Sequence, residues 1–146
     1  MMQSGLKMNS ITKLLVYVVI LVHFMFFVLE AIFWMNPLVN NILLGFLNNP
    51  VSISFPVQAL TLKNLFINQG LYNFFVLCAG IRGLNLVAKK RFSAGYALIL
   101  FLCFCGFGAG ITLSLSTKAY VLAFFQGVPA AIAFIRVYPL YKNSLP

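Results

Sequence analysis

Few side chains in this sequence could carry chemistry, and each of them interrupts a long apolar segment. Glu30 is the only acid among the 146 residues, and His23 precedes it by seven positions. Seven steps of about 100° return to nearly the same helix face but rise about 10.5 Å, so the two side chains share a face without a direct hydrogen bond. A carboxyl with an imidazole on one face is suited to proton transfer. A lone histidine in a span more often has a structural role, and the proton relay is the alternative.

Amide side chains recur at a similar depth in other apolar segments. Asn68, Gln69 and Asn73 lie in the second segment, and Gln126 lies in the fourth. At about 1.5 Å of rise per residue, Asn68, Gln69 and Gln126 are placed near the depth of Glu30 and Asn73 one turn deeper, all in the outer half of a membrane. Polar groups at this depth usually face the interior of a helical bundle. They predict either a binding site or a hydrogen-bonded knot that fixes helix register.

The composition excludes a soluble domain. The chain is 62% hydrophobic and 8% charged, whereas an average soluble domain has about 25% charged residues. A helix needs about 20 apolar residues to cross a bilayer, and four segments have that length. We therefore predict an all-α fold, a polytopic membrane four-helix bundle in one domain over residues 1–146. Its spans are residues 11–35, 64–87, 94–115 and 119–141, and its main partner is the lipid bilayer.

The basic residues predict the orientation of the spans. Ten Lys and Arg residues give a net charge of +9. Eight of them fall on one side of the predicted spans, whereas Lys63 and Lys118 fall on the other. The positive-inside rule then places both termini and residues 89–91 in the cytoplasm, an N-in/C-in topology. Since the bases lie between apolar segments rather than on one soluble face, we expect no binding to nucleic acid.

The connection over residues 36–63 has no charge before Lys63 and contains three prolines, which exclude a fifth span. Residues 38–47 fit a short interfacial helix, and residues 51–55 alternate like a strand. A loop that rests on the lipid headgroups is the more common structure for such a segment. The alternative is a lid over a site on the non-cytoplasmic face.

The remaining motifs offer no metal or cofactor chemistry. The three cysteines lack the spacing of metal ligands. Gly106 and Gly110 form a G-x-x-x-G motif, which favours close helix packing, and no Lys or Ser/Thr follows at the spacing of a phosphate-binding loop. No metal and no cofactor are therefore predicted.

Three motifs carry a family resemblance. His23, Glu30, Trp34 and Pro37 form H-x6-E-x3-W-x2-P, residues 68–73 read N-Q-G-L-Y-N, and residues 126–130 read Q-G-V-P-A. Together they resemble the small bacterial membrane proteins filed as domain of unknown function 1304, over about residues 13–136. The resemblance implies a four-helix protein of the bacterial inner (plasma) membrane, and its motif residues fall in the same polar layer. It implies no established activity, substrate or cofactor.

These observations favour a module that binds or transports a small polar or cationic solute or ion. One alternative is an isomerase-like membrane enzyme with Glu30 as acid or base, but the lack of a second acid or a nucleophile–base pair makes an enzyme the weaker hypothesis. The other alternative is a structural subunit of a membrane assembly, and a homo-oligomer is compatible with each. The predicted ligand-binding residues are His23, Glu30, Trp34, Asn68, Gln69, Tyr72, Asn73 and Gln126.

Overall fold

A computed structural model describes residues 7–47 and 51–145. These residues form five α-helices and no strand, and four of the helices are long and apolar enough to cross a membrane. The all-helical membrane bundle expected from the sequence is confirmed. α1 also continues into a π-helical turn, Val28–Ile32. The helices are α1 (Ser10–Phe27), α2 (Pro37–Leu47), α3 (Phe55–Ala88), α4 (Phe92–Ser116) and α5 (Tyr120–Lys142).

The second span departs most from its predicted boundary. α3 begins at Phe55, well before residue 64, and has 34 residues. Pro56 lies in its first turn, where a missing N–H leaves no helical hydrogen bond unmade. The strand-like alternation over residues 51–55 was a wrong prediction, because residues 51–54 have no regular structure and Phe55 is helical. Residues 48–50, also assigned to this loop, lie outside the described residues.

The four long helices surround a common core. α1 packs against α3 and α5, and α4 packs against the same two helices. We call the end of the bundle that carries α2 and residues 117–119 the loop end. The opposite end, with residues 7–9, 89–91 and 143–145, is the terminal end.

The core consists of two clusters at different levels. In the terminal half, buried side chains of α1, α4 and α5 pack together, among them Val16, Tyr96, Ile99 and Leu102. Partly buried side chains of α3 pack against them. The loop end has a smaller cluster around Trp34, built from the end of the first span, α2 and the start of α3. The polar layer lies between these clusters.

Trp34 fastens the loop-end cluster to α3. Its indole N–H donates to the carbonyl oxygen of Ala59 at 2.8 Å, and its ring stacks on Phe66 with 3.6 Å between centroids. The backbone oxygen of Trp34 accepts a hydrogen bond from Asn40 of α2 at 3.2 Å. The single tryptophan therefore holds α2 and α3 together above the polar layer.

Candidate functional site

Glu30 lies in the π-helical turn that ends the first span. The backbone N–H of Phe33 donates to the oxygen of Val28 at 3.0 Å, five residues earlier instead of four. Such a turn rotates the residues that follow it and is frequent at functional sites. The side chain of Glu30 is only 8% exposed.

The N-Q-G-L-Y-N block of α3 contacts this turn. The side-chain amide of Asn73 donates to Oε2 of Glu30 at 3.0 Å and lies 3.3 Å from the backbone oxygen of Gln69, which also accepts from it. A Cβ at Gly70 would lie 2.6 Å from the backbone nitrogen of Ala31. Only glycine therefore lets α3 approach closely enough for Asn73 to reach the carboxyl.

Gln126 and Gly127 of α5 repeat the Gln-Gly sequence of Gln69 and Gly70 in α3, and they also lie at a close contact between helices. A Cβ at Gly110 of α4 would lie 2.6 Å from the Cα of Gly127, so these two helices touch at their backbones. Gln126, next to Gly127, is 5% exposed. Its amide makes no hydrogen bond to any part of the chain that the structure describes, and its polar atoms are accessible from a cavity that the residue lines.

This polar cavity has a volume of about 400 Å³ and lies between the two helix pairs, α1 with α3 and α4 with α5. Three of its polar residues are exposed, Gln69 on α3 and Thr112 and Ser116 on α4, and they mark an opening between those helices. The polar lining residues are Glu30, Gln69, Asn73, Thr112, Ser116 and Gln126.

α2 covers the loop end of the polar cavity. Leu43 and Leu47 project into its wall. The backbone oxygen of Leu47 accepts a hydrogen bond from the N–H of Lys118 at 3.4 Å, so α2 bridges to the connection between α4 and α5. This placement fits the lid hypothesis for the loop rather than a segment that rests on the headgroups alone.

The structure brings four of the eight predicted site residues to the polar cavity, namely Glu30, Gln69, Asn73 and Gln126. The other four do not line it. Trp34 supports α2 and α3 from the loop end, while Asn68 and Tyr72 lie on the outward face of α3 and are exposed.

His23 lies in the core, outside the set of residues that line the cavity. Its Nδ1 donates to the backbone oxygen of Val19 at 2.9 Å; because a carbonyl oxygen only accepts, the proton is on Nδ1. The ring packs against Gly106, where a Cβ would lie 3.0 Å from the ring's Cε1. The predicted G-x-x-x-G motif thus serves packing within the chain, since Gly106 and Gly110 are both buried.

Thr112 and Ser116 were missed in the sequence. They are one helical turn apart near the end of α4, and each hydroxyl donates to the backbone oxygen four residues earlier, at 3.0 Å and 2.7 Å. The signal was the Thr-x-x-x-Ser spacing, which places both hydroxyls on one helix face.

The charge of the cavity is concentrated on Glu30. Among the described residues no Lys, Arg or His forms an ion pair with its carboxyl. Within the same residues, no group of three or more His, Cys, Asp or Glu side chains is arranged to hold a metal ion. The site is thus an acid among amides and hydroxyls.

A model of one protein family, described as "Protein of unknown function (DUF1304)", matches residues 17–138. The chain belongs to this family. The resemblance carried by the three motifs is confirmed, and the matched range contains every residue that lines the polar cavity of this DUF1304 chain. No curated protein and no solved structure matches the chain significantly.

Proposed function

We propose that this chain is a membrane module that binds a small solute with a cationic or hydrogen-bond-donating group. The observation that carries the proposal is the only acid of the chain, buried at a cavity of about 400 Å³ without an ion pair to the described residues. A carboxylate at membrane depth is costly unless it has a partner. A bound ammonium group supplies that partner.

The neighbouring polar groups complete a binding site. Asn73 occupies Oε2 of Glu30, which leaves Oε1 to accept a hydrogen bond from a ligand. The amide of Gln126 lies across the cavity with neither its donor nor its acceptor used among the described residues. The polar atoms of this amide are accessible from the cavity, so one ligand can form hydrogen bonds with both residues.

Binding has more support than transport through a single chain. On the terminal side of the polar cavity, Val16, Tyr96, Leu102 and Val137 are fully buried. A solute path through the bundle would require the four helices to separate at this cluster. An acid–base enzyme has less support as well, because His23 does not line the cavity and leaves Glu30 without a second titratable group there.

Ethylammonium is a suitable probe for the proposed site. We expect it to raise the thermal unfolding temperature of the purified protein and to have at least a tenfold weaker effect on Glu30→Gln. Gln retains the shape of the side chain and an oxygen that accepts from Asn73. The matched control is Tyr72→Phe, which removes a polar atom from the outward face of α3 and is expected to leave the response unchanged.

Equal shifts of the unfolding temperature for the wild-type protein and Glu30→Gln would overturn the proposal. The absence of any shift with ethylammonium would also overturn it. Native mass spectrometry of the same samples reports binding directly and does not depend on a change in stability.

We also propose that two copies of this chain associate through α3, because that helix has polar side chains that face outward. Asn68 and Tyr72 are exposed one turn apart. They lie between two exposed bases, Lys63 and Arg82, which are separated by 19 residues or about 28 Å, close to the thickness of the hydrocarbon core. Polar groups in this region are stabilised by a protein partner.

The test compares Asn68→Leu with Ile81→Leu, a change at an exposed position about 140° around the same helix. We expect a dimer for the wild-type protein and for Ile81→Leu in native mass spectrometry, and a monomer for Asn68→Leu. A monomeric wild-type protein, or a dimer that survives Asn68→Leu, would count against this interface.

A further inference from the structure

A second cavity of about 290 Å³ adjoins the polar one. We call it the apolar cavity, because all seven side chains in its wall are hydrocarbon, aromatic or thioether groups: Val22, Met25, Phe26, Leu29, Leu43, Leu122 and Phe125. Phe26, Leu43 and Leu122 also line the polar cavity. Side chains alone therefore separate the two spaces.

The apolar cavity opens on the opposite side of the bundle. Met25 of α1 is 52% exposed and Phe125 of α5 is 59% exposed, and both lie at its edge. These helices are neighbours and both belong to candidate membrane spans. The opening between them therefore faces the hydrocarbon of the bilayer rather than water.

Two of the side chains that separate the cavities lie on the same helices as the polar groups of the site. Phe26 lies one helical turn before Glu30, and Leu122 lies one turn before Gln126. Residues four apart occupy the same face of a helix, although the π turn at Glu30 modifies this for α1. Phe26 and Leu122 are only partly buried, which allows their side chains to change rotamer.

We propose that the two cavities together bind one single-chain amphiphile with an ammonium headgroup. The headgroup contacts the carboxyl of Glu30 and the amide of Gln126, and the alkyl chain passes Phe26 and Leu122 into the apolar cavity. The end of the chain reaches the bilayer between α1 and α5. The inference rests on the proposed function, because the headgroup uses the same carboxyl.

The arrangement of polar and apolar surface supports this class of ligand. A short polar solute would fill the polar cavity and leave the apolar one empty, whereas a hydrocarbon without a headgroup would leave Gln126 unpartnered. An amphiphile satisfies both spaces at once. An anionic headgroup is disfavoured, since Glu30 is the only charged residue in the wall of either cavity.

The test measures binding of three probes to the full chain by native mass spectrometry from a neutral detergent: ethylammonium, dodecylammonium and dodecyl sulfate. We expect dodecylammonium to bind at least tenfold more tightly than the other two. Val22→Trp, two helical turns before Glu30, places a large side chain in the apolar cavity, whose volume accommodates it. It should weaken dodecylammonium binding at least tenfold and leave ethylammonium binding unchanged.

The matched control is Val128→Trp, at an exposed position of α5 outside both cavities. It should bind all three probes as the wild-type protein does. If ethylammonium binds but the dodecyl chain adds nothing, or if Val22→Trp behaves like Val128→Trp, the amphiphile is wrong and the proposed function stands. If dodecyl sulfate binds as tightly as dodecylammonium, recognition of the headgroup is wrong. If neither amine binds, both proposals fail.

Discussion

Gly70 allows α3 to approach the π turn closely enough for Asn73 to donate a hydrogen bond to Glu30. The carboxyl of Glu30 is reached by Asn73 because α3 touches the π turn at Gly70, with no side chain between the two backbones. Gly108 of α4 has no such role, since a Cβ there would meet no atom within 4 Å. Substitution of Gly70 and substitution of Gly108 are therefore expected to change the stability of the protein differently.

Gly70→Ala is expected to destabilise the protein by about 1–3 kcal/mol, because the added methyl group overlaps the backbone of Ala31 and forces the helices apart. The same movement should weaken the hydrogen bond from Asn73 to Glu30. Gly108→Ala is the matched control, and it should be neutral or stabilising by up to about 1 kcal/mol from helix propensity alone.

Unfolding of both variants in mixed micelles of increasing denaturing detergent gives the two free energies. If Gly70→Ala were no less stable than Gly108→Ala, the close contact between α3 and the π turn would be wrong. Reduced ethylammonium binding by Gly70→Ala would connect this contact to the proposed site.

At the scale of the elements, the turn between α3 and α4 has a lysine in a backbone conformation that glycine usually adopts. The N–H of Lys90 donates to Val87, and the N–H of Arg91 donates to Leu86 at 2.9 Å. This is the hydrogen-bond pattern of a Schellman motif, whose left-handed residue is usually glycine. Lys90 has φ = 61°, the left-handed region. The tight turn fixes α3 and α4 together at the terminal end.

Lys90→Gly is expected to raise the free energy of unfolding by about 1 kcal/mol, because an L-residue pays roughly this amount in the left-handed region. Lys89→Gly, at the adjacent position with φ = −83°, removes the same charge and should give no gain. The same detergent titration measures both variants. Equal changes in stability would show that the charge, and not the backbone, governs this turn.

At the scale of the whole molecule, the four long helices pack together at the terminal end, whereas toward the loop end they form two pairs with space between them. Backbone contacts join α1 to α3 at Gly70 and α4 to α5 at Gly110, so each pair is a unit in the loop half. The two cavities occupy the space between the pairs, one opening on each side. α2 crosses this space at the loop end, where the backbone oxygen of Leu47 accepts a hydrogen bond from Lys118. A ligand that enters this space therefore contacts both helix pairs.

We propose that the terminal end faces the cytoplasm of a bacterial plasma membrane, because eight of the ten bases lie there in the sequence. A phosphatase that is active only outside the cytoplasm, fused after residue 145, is expected to be inactive. The same enzyme inserted between residues 51 and 54, at the loop end, should be active. The reverse pattern would invert the bundle and place the polar cavity in the cytoplasmic half.

The sequence by itself determined the class of the protein, its four spans and the depth of its polar layer. These properties follow from the length of apolar segments and from helical rise, both of which are local. The same reasoning misjudged the start of α3, because Pro56 breaks a helix interior but is favourable in a first turn. It also could not find the π turn, since the extra residue in that turn is stabilised by contacts with α3.

Only the tertiary structure decided which polar residues share a space. Depth placed Asn68, Gln69, Asn73 and Gln126 in one layer, but the rotation of each helix about its axis sends Asn68 outward and the other three amides to the cavity. That rotation depends on where helices touch at glycine and on what α2 covers. Depth is a property of one helix, whereas a site is a property of the surfaces that helices turn toward each other.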